Sequence, residues 1–184
     1  MKLFVATPMY GGNAKNVYVN GLYNLAQVLA ARGHTMVHSV ISNESLITRA
    51  RNALAHSFLA TDCDALLFID ADHGFNAVDV VDMIETGKDV IGAIYAKKDI
   101  NWESVRKAAL LGLPNLQDYS GFFAVNYLPE AQTFKSNEPF KVRDIGTGML
   151  FISRKVFEDL KPIVKSYRSH IDGSTVDFNE LVYE

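Results

Sequence analysis

The chain of 184 residues has a single cysteine, Cys63. One thiol excludes a disulfide framework and a cysteine-based zinc site. Neither charge sign dominates: 18 Lys and Arg stand against 21 Asp and Glu, for a net charge of -3 and a pI near 5.9. That balance argues against nucleic acid as a partner and against a polybasic membrane surface. Long apolar runs are also missing, and a stretch such as Ala65 to Ile69 is far too short to span a bilayer. Met1 to Val5 runs directly into a strand-like segment without a signal-peptide layout, so a cytoplasmic protein with no transmembrane segment is expected. There is no internal repeat, low-complexity segment or linker. What is present is ordinary globular composition, 48% hydrophobic and 21% charged, in a length that suits one domain with a sizeable core.

The hydrophobic pattern alternates between strand and helix periods. Lys2 to Thr7 reads as a buried first strand closed by Pro8. Asn13 is placed to cap a helix whose apolar side is Val19, Leu22, Tyr23, Ala26, Leu29 and Ala30, ended by Gly33. Thr35 to Ile41 reads as a second strand. Residues 45 to 60 return to helical spacing, with Ile47, Ala50, Leu54 and Phe58 on one side. Ala65 to Ile69 is a wholly apolar third strand, followed by a helix capped by Asn76, facing inward through Val78, Val81 and Ile84 and closed by Gly87. Asp89 to Ile94 reads as a fourth strand. This alternation predicts an α/β fold with a Rossmann-like, mostly parallel sheet and helices on both faces. Beyond Tyr95 the pattern changes to a mixed half, with short strand-like pieces such as Phe122 to Val125, a strand at Met149 to Ser153 and a helix at Lys155 to Leu160. Ile171-Asp172-Gly173-Ser174 carries a hairpin-turn signal.

Ligands of open α/β sheets bind outside the carboxyl ends of the strands. Asp70-Ala71-Asp72 stands at such an end, after Leu66-Leu67-Phe68-Ile69. Two carboxylates one residue apart can hold a hard divalent cation that bridges phosphate oxygens, and without a cation they repel each other. The alternative is a solvated turn leading into the helix at Asn76.

At these residues the chain resembles nucleotide-sugar glycosyltransferases of the GT-A fold, with small virus-encoded and bacterial members nearest. The resemblance runs over roughly residues 2 to 160. It is carried by Ala6-Thr7-Pro8, Thr48-Arg49-Ala50-Arg51-Asn52, Phe68-Ile69-Asp70-Ala71-Asp72, the segment Val90 to Lys98 and Asp144-Ile145-Gly146-Thr147-Gly148-Met149. It implies a single GT-A-like domain over 1–184, with a nucleotide-binding half at 1–95 and an acceptor-side half at 96–184. It also implies transfer of a sugar from a UDP- or GDP-sugar to a glycan or other hydroxyl acceptor. Asp70 and Asp72 would bind Mn²⁺ or Mg²⁺ and, with Ala71, the diphosphate; Asp72 would make the direct metal contact.

By the same resemblance Thr7, Pro8, Met9 and Tyr10 form a loop that receives the base and ribose, with Tyr10 stacking and Thr7 hydrogen-bonding. An ordinary turn is the alternative. Helical phase places Ser45, Arg49, Asn52 and His56 on one face and Arg51 on the other side, so the two arginines cannot both reach one ligand. The resemblance implies an arginine near the nucleotide, taken here as Arg49, and the alternative is a solvated polar face. Lys97 and Lys98, after the fourth strand, would meet the diphosphate or form a solvated pair. Trp102 would be a sugar platform or a core anchor. Gly146-Thr147-Gly148 resembles the acceptor-side loop, with Asp144 as the carboxylate for sugar or acceptor; the plain reading is a tight turn. His73 and His170 are further candidates for a metal shell, against the plain reading of surface histidines.

Two other classes remain open at this level. A HAD-like phosphatase also has Asp-x-Asp at a strand end, but normally at the first strand and with a later Gly-Asp-x-x-x-Asp that this chain lacks. A non-catalytic nucleotide-sugar-binding module would keep the donor fold without turnover. The resemblance implies an acidic Glu-Asp segment and a later His after the late helix. Only Asp177, Glu180 and His170 stand in that region, so a truncated or weakly active enzyme is expected.

Overall fold

The first strand, β1 (Lys2–Met9), is apolar from Leu3 to Ala6, and all four of those side chains are buried. A run buried on both faces belongs in the middle of a covered sheet. The structure is a computed structural model that describes residues 1–130, 134–135, 138–168 and 175–177. In it β1 lies between β2 (Thr35–Ser42) and β3 (Ala65–Ile69), parallel to both. The sheet continues through β9 (Met149–Ser153) to β4 (Val90–Gly92), and β9 runs antiparallel to both neighbours. The sheet is therefore mostly parallel, with one antiparallel strand delivered from late in the chain.

Alternation along the strands divides the core between two faces. Phe4 and Ala6 of β1 and Leu66 and Phe68 of β3 pack with Leu54 and Phe58 of α2 (Ile47–Leu59) and Phe157 of α5 (Arg154–Leu160). On the other face Thr7 meets Tyr18 of α1 (Asn16–Ala31), and α1 is joined to α3 (Ala77–Glu85) by ion pairs from Arg32 to Asp82 and Glu85. Asn76 caps α3, its side chain accepting from the Val78 N–H at 2.8 Å. Gly33, at φ 73°, lets the chain leave α1 in a left-handed conformation.

Several helical phases differ from the sequence reading. Asn13 does not cap α1; its amide donates to the Gly11 carbonyl, and the helix starts three residues later, with Lys15 at the N-cap position. The buried side of α1 is Tyr18, Gly21, Leu25 and Leu29, whereas Val19 and Tyr23 face solvent. Gly21 sets this phase, because a Cβ there would stand 2.9 Å from the Phe75 ring. In α3 it is Val80, not Val78, that is buried with Val81 and Ile84.

The chain divides into two compact units, residues 1–92 with 147–184, and residues 93–146. The second contains β5 (Ala96–Ile100), α4 (Trp102–Leu110), β6 (Gly121–Phe123), β7 (Val125–Asn126) and β8 (Asp144–Ile145), with β5 paired to β6 and β7 to β8, both antiparallel. In the first unit β10 (Ser166–Arg168) pairs antiparallel with β11 (Thr175–Asp177). The expected turn at Ile171 to Ser174 lies outside the described residues, as do His170 and Glu180. Among the described residues no helix is long and apolar enough to cross a membrane.

Candidate functional site

The acidic turn follows directly from β3, whose five residues are all buried, so its starting point is fixed by the core. Three backbone hydrogen bonds then hold it. The Asp70 N–H donates to the Gly148 carbonyl beside β9 at 2.9 Å, and the His73 N–H closes the turn onto the Asp70 carbonyl at 3.0 Å. The Lys15 N–H donates to the Ala71 carbonyl at 2.9 Å, tying the turn to the start of α1. Asp70 is half-buried and Asp72 is exposed.

These elements enclose an open cavity of about 350 Å³. Asp70, Ala71 and Asp72 form one side, Pro8 comes from the end of β1 and Tyr10 from just after it, and Asn13 and Lys15 from the loop before α1. Ile47 contributes from the first residue of α2. Tyr10 begins a short 3₁₀ turn, Tyr10–Gly12, and is 72% exposed, an aromatic face presented to solvent. No side chain caps α1, whose Tyr18 N–H bonds back to the Lys15 carbonyl at 3.1 Å; the positive end of the helix dipole adds a partial positive charge beside Lys15. One cavity thus places carboxylates against a cation and an aromatic ring. Sequence reasoning missed Asn13, Lys15 and Ile47 as wall residues; Lys15 was legible only as a lysine in a loop.

The two arginines of α2 sit in different surroundings. Arg51, expected to point away, lies in the buried side of α2, 9% exposed, and its Nη2 donates to Asp70 Oδ1 at 2.7 Å. The guanidinium also stands 5.9 Å from the centre of the Phe68 ring. Arg49, expected at the nucleotide, pairs with Glu44 at 2.7 Å and is 39% exposed. Asn52, placed with Arg49 on a polar face, is fully buried, and Ile47, placed on the apolar side, is exposed. An ion pair at the strand end overrides the apolar count, since the sheet edge of α2 can accept a charge only where a carboxylate meets it.

Thr7 is likewise not in a loop. It is buried within β1, its hydroxyl 2.5 Å from the Tyr18 hydroxyl, with His38 Nε2 3.0 Å from Tyr18 and 3.3 Å from Thr7. Burial raises the Tyr18 pKa above 10.0 and lowers that of His38 below 6.5. Pro8 and Met9 are the last residues of β1; Pro8 lines the cavity. Lys97 and Lys98 do not end β4 but lie inside the exposed strand β5, and Trp102 is an exposed first residue of α4.

Asp144 lies in β8 of the second unit, accepting from Arg143 Nε at 2.9 Å and Asn126 Nδ2 at 3.0 Å. These bonds, Arg143 first, hold its carboxyl below the usual value of 3.8, which suits a hydrogen-bond acceptor better than a proton-abstracting base. Gly146 packs against Tyr95 and Ala124; a Cβ there would come within 2.9 Å of the Ala124 methyl. Its missing side chain is thus used within the second unit.

Among the described residues no three His, Cys, Asp or Glu side chains stand close enough to hold a metal ion together. Asp70 and Asp72 offer two carboxylates, one of them shared with Arg51. A Mg²⁺-like ion, which binds through one or two carboxylates and keeps water and phosphate oxygens as its other ligands, is the kind these two residues could hold. Comparison with protein-family models and with curated proteins gave no match.

Proposed function

We propose that this chain binds a nucleoside-diphosphate sugar through a divalent cation and transfers the sugar to a hydroxyl acceptor, as a glycosyltransferase of the GT-A type. The observation that carries this reading is the cavity at the carboxyl ends of β1 and β3, where Asp70 and Asp72 face Lys15 and Tyr10. The antiparallel β9 between β3 and β4, preceded by Gly148, whose carbonyl anchors Asp70, supports it.

Each group has a task in that reaction. Asp72, with the remaining oxygen of Asp70, would hold Mn²⁺ or Mg²⁺. The bound ion would stabilise negative charge growing on the departing diphosphate. Lys15 and the first turn of α1 attract the same phosphates, and Tyr10 offers a stacking surface for the base. Arg51, bonded to Asp70 Oδ1 at 2.7 Å, keeps that carboxylate aimed. The Arg51 ion pair works against the phosphatase alternative, in which Asp70 would have to attack phosphorus, because a carboxylate bonded to a guanidinium is a weaker nucleophile.

The test is calorimetric titration of UDP, GDP and their sugars with Mn²⁺ and with EDTA, alongside a donor-consumption assay. Asp72→Asn is expected to weaken Mn²⁺-dependent binding at least about tenfold, or 1.4 kcal/mol, without changing the unfolding midpoint. Identical titrations with Mn²⁺ and EDTA would overturn the reading. Metal-dependent binding without donor consumption would reduce it to a binding module.

A further inference from the structure

Behind Asp70, on the α2 and α5 face of the sheet, lies a second, smaller cavity of about 50 Å³. Its walls are mostly apolar, among them Phe68, Leu150 and Phe157, but Arg51, Asn52 and Thr147 also line it. Asn52 is fully buried, and neither its amide oxygen nor its amide nitrogen has a hydrogen-bond partner among the described residues. Arg51 Nε is buried and unpartnered in the same way, although Nη2 of the same guanidinium is bonded to Asp70. Two donors and one acceptor without partners thus belong to residues that line one small space. Buried amides and guanidinium N–H groups are almost always paired, and leaving three unpaired beside an ion pair would favour any conformation that exposed them.

We propose that this cavity is a hydrated site, in which ordered water joins the Asn52 amide to Arg51 Nε, making Asn52 a positioning residue for Asp70. The volume accommodates on the order of two water molecules, and the three polar atoms supply the two to four partners that a buried water requires. Asn52 donates to and accepts from the water, and the water accepts from Arg51 Nε. The guanidinium is then held at both Nε and Nη2, so its bond to Asp70 Oδ1 has one geometry. A lone ion pair would leave the long arginine side chain free to rotate about that contact. This gives a reason for a buried Asn next to a buried Arg on a helix face that otherwise carries Ala50, Leu54, Ala55 and Phe58.

The proposal is tested on the whole chain by a crystal structure that resolves ordered water and by NMR of the arginine Nε–H groups, with the Arg51 signal assigned by its loss in Arg51→Lys. Water density within hydrogen-bond distance of Asn52 and Arg51 Nε, with a cross-peak between Arg51 Nε–H and water, is expected. Asn52→Leu, which keeps the volume but removes the amide, should abolish both. Mn²⁺ affinity should also fall about tenfold, while Asn52→Ser, which keeps a hydroxyl, stays close to the parent. A dry cavity would overturn the proposal, as would an Asn52 amide bonded directly to backbone, or an Arg51 signal unchanged in Asn52→Leu. The Mn²⁺ arm alone rests on the function proposed above. If the parent chain binds no Mn²⁺, that reading fails, and the water density and the Arg51 signal still decide this one.

Discussion

In residues 1–92 and 147–184, β1 and β3 are almost wholly buried and helices cover both faces of their sheet. In residues 93–146, β5 is exposed along its whole length, and Ala108 is the one buried apolar side chain among the described residues. The second unit's strands run to five residues at most and pair only two by two. The difference explains where a site can be held still. Asp70 hangs from a strand that cannot move without opening the core, and it is tied to β9 and α1. Asp144 hangs from a two-residue strand and depends on exposed neighbours, Arg143 and Asn126, for its orientation.

The largest expected effect tests that contrast through the cores. Phe58 is fully buried, its ring 5.8 Å from that of Phe4 and 5.3 Å from that of Phe157. Phe58→Ala should cost about 3–5 kcal/mol in urea unfolding. Phe122→Ala, at an exposed position in β6, should cost less than about 1 kcal/mol. Similar costs would mean that the second unit has a core of its own.

Next in size is the arginine pair. Arg51→Leu leaves Asp70 without its partner and should destabilise the chain by on the order of 2–3 kcal/mol, below the full cost of breaking a buried pair because Asp70 is 29% exposed. Arg49→Ala breaks the pair of the 39% exposed Arg49 with Glu44, whose carboxylate keeps the Leu46 N–H, and should cost less, on the order of 1 kcal/mol. The reverse ranking in thermal unfolding would show that α2 is phased differently in solution.

A smaller effect separates the lysines. Lys15→Gln should weaken binding of a nucleoside diphosphate about three- to tenfold at low ionic strength, and less at high salt. Lys97→Gln, inside β5 rather than at the end of β4, should change it by less than about twofold. Equal losses in titration would bring the second unit into the phosphate site.

The smallest is a pH dependence. Burial lowers the His38 pKa below 6.5, so the unfolded chain binds a proton there more readily than the folded one. The contribution is fully present above the unfolded pKa and is lost as pH falls through the folded pKa. The unfolding midpoint of the parent should therefore drop more steeply below about pH 6.5 than that of His38→Gln. Parallel curves would show that His38 titrates as it does in the unfolded chain.

The elements that were legible in advance are those where local pattern and burial coincide. Ala65 to Ile69 and Met149 to Ser153 are apolar runs that are strands over those residues, and Asn76 caps its helix as its side chain requires. The acidic pair at a strand end was legible for the same reason. The phases of α1 and α2 were not. On α1 a glycine, which carries no hydrophobic signal, sets the buried side by admitting Phe75. On α2, Asn52 reads as part of a polar face and Arg51 as turned to the other side; that Asn52 is buried and that Arg51 meets Asp70 comes only from the packing of α2 on the sheet. Nor did composition reveal that Lys97 belongs to a separate exposed strand, or that the Thr7 hydroxyl is taken by Tyr18.

The sequence by itself determined the alternation of strands and helices, the burial of the central strands and the place of Asp70-Ala71-Asp72 at a strand end. Each of these follows from side-chain period and local caps within a few residues. Tertiary structure alone decided that β9 enters the sheet antiparallel, that Lys15 and Tyr10 face the acidic turn, and that Arg51 rather than Arg49 meets Asp70. Those outcomes depend on contacts between residues far apart in the chain, whose partners become available only once the sheet has formed.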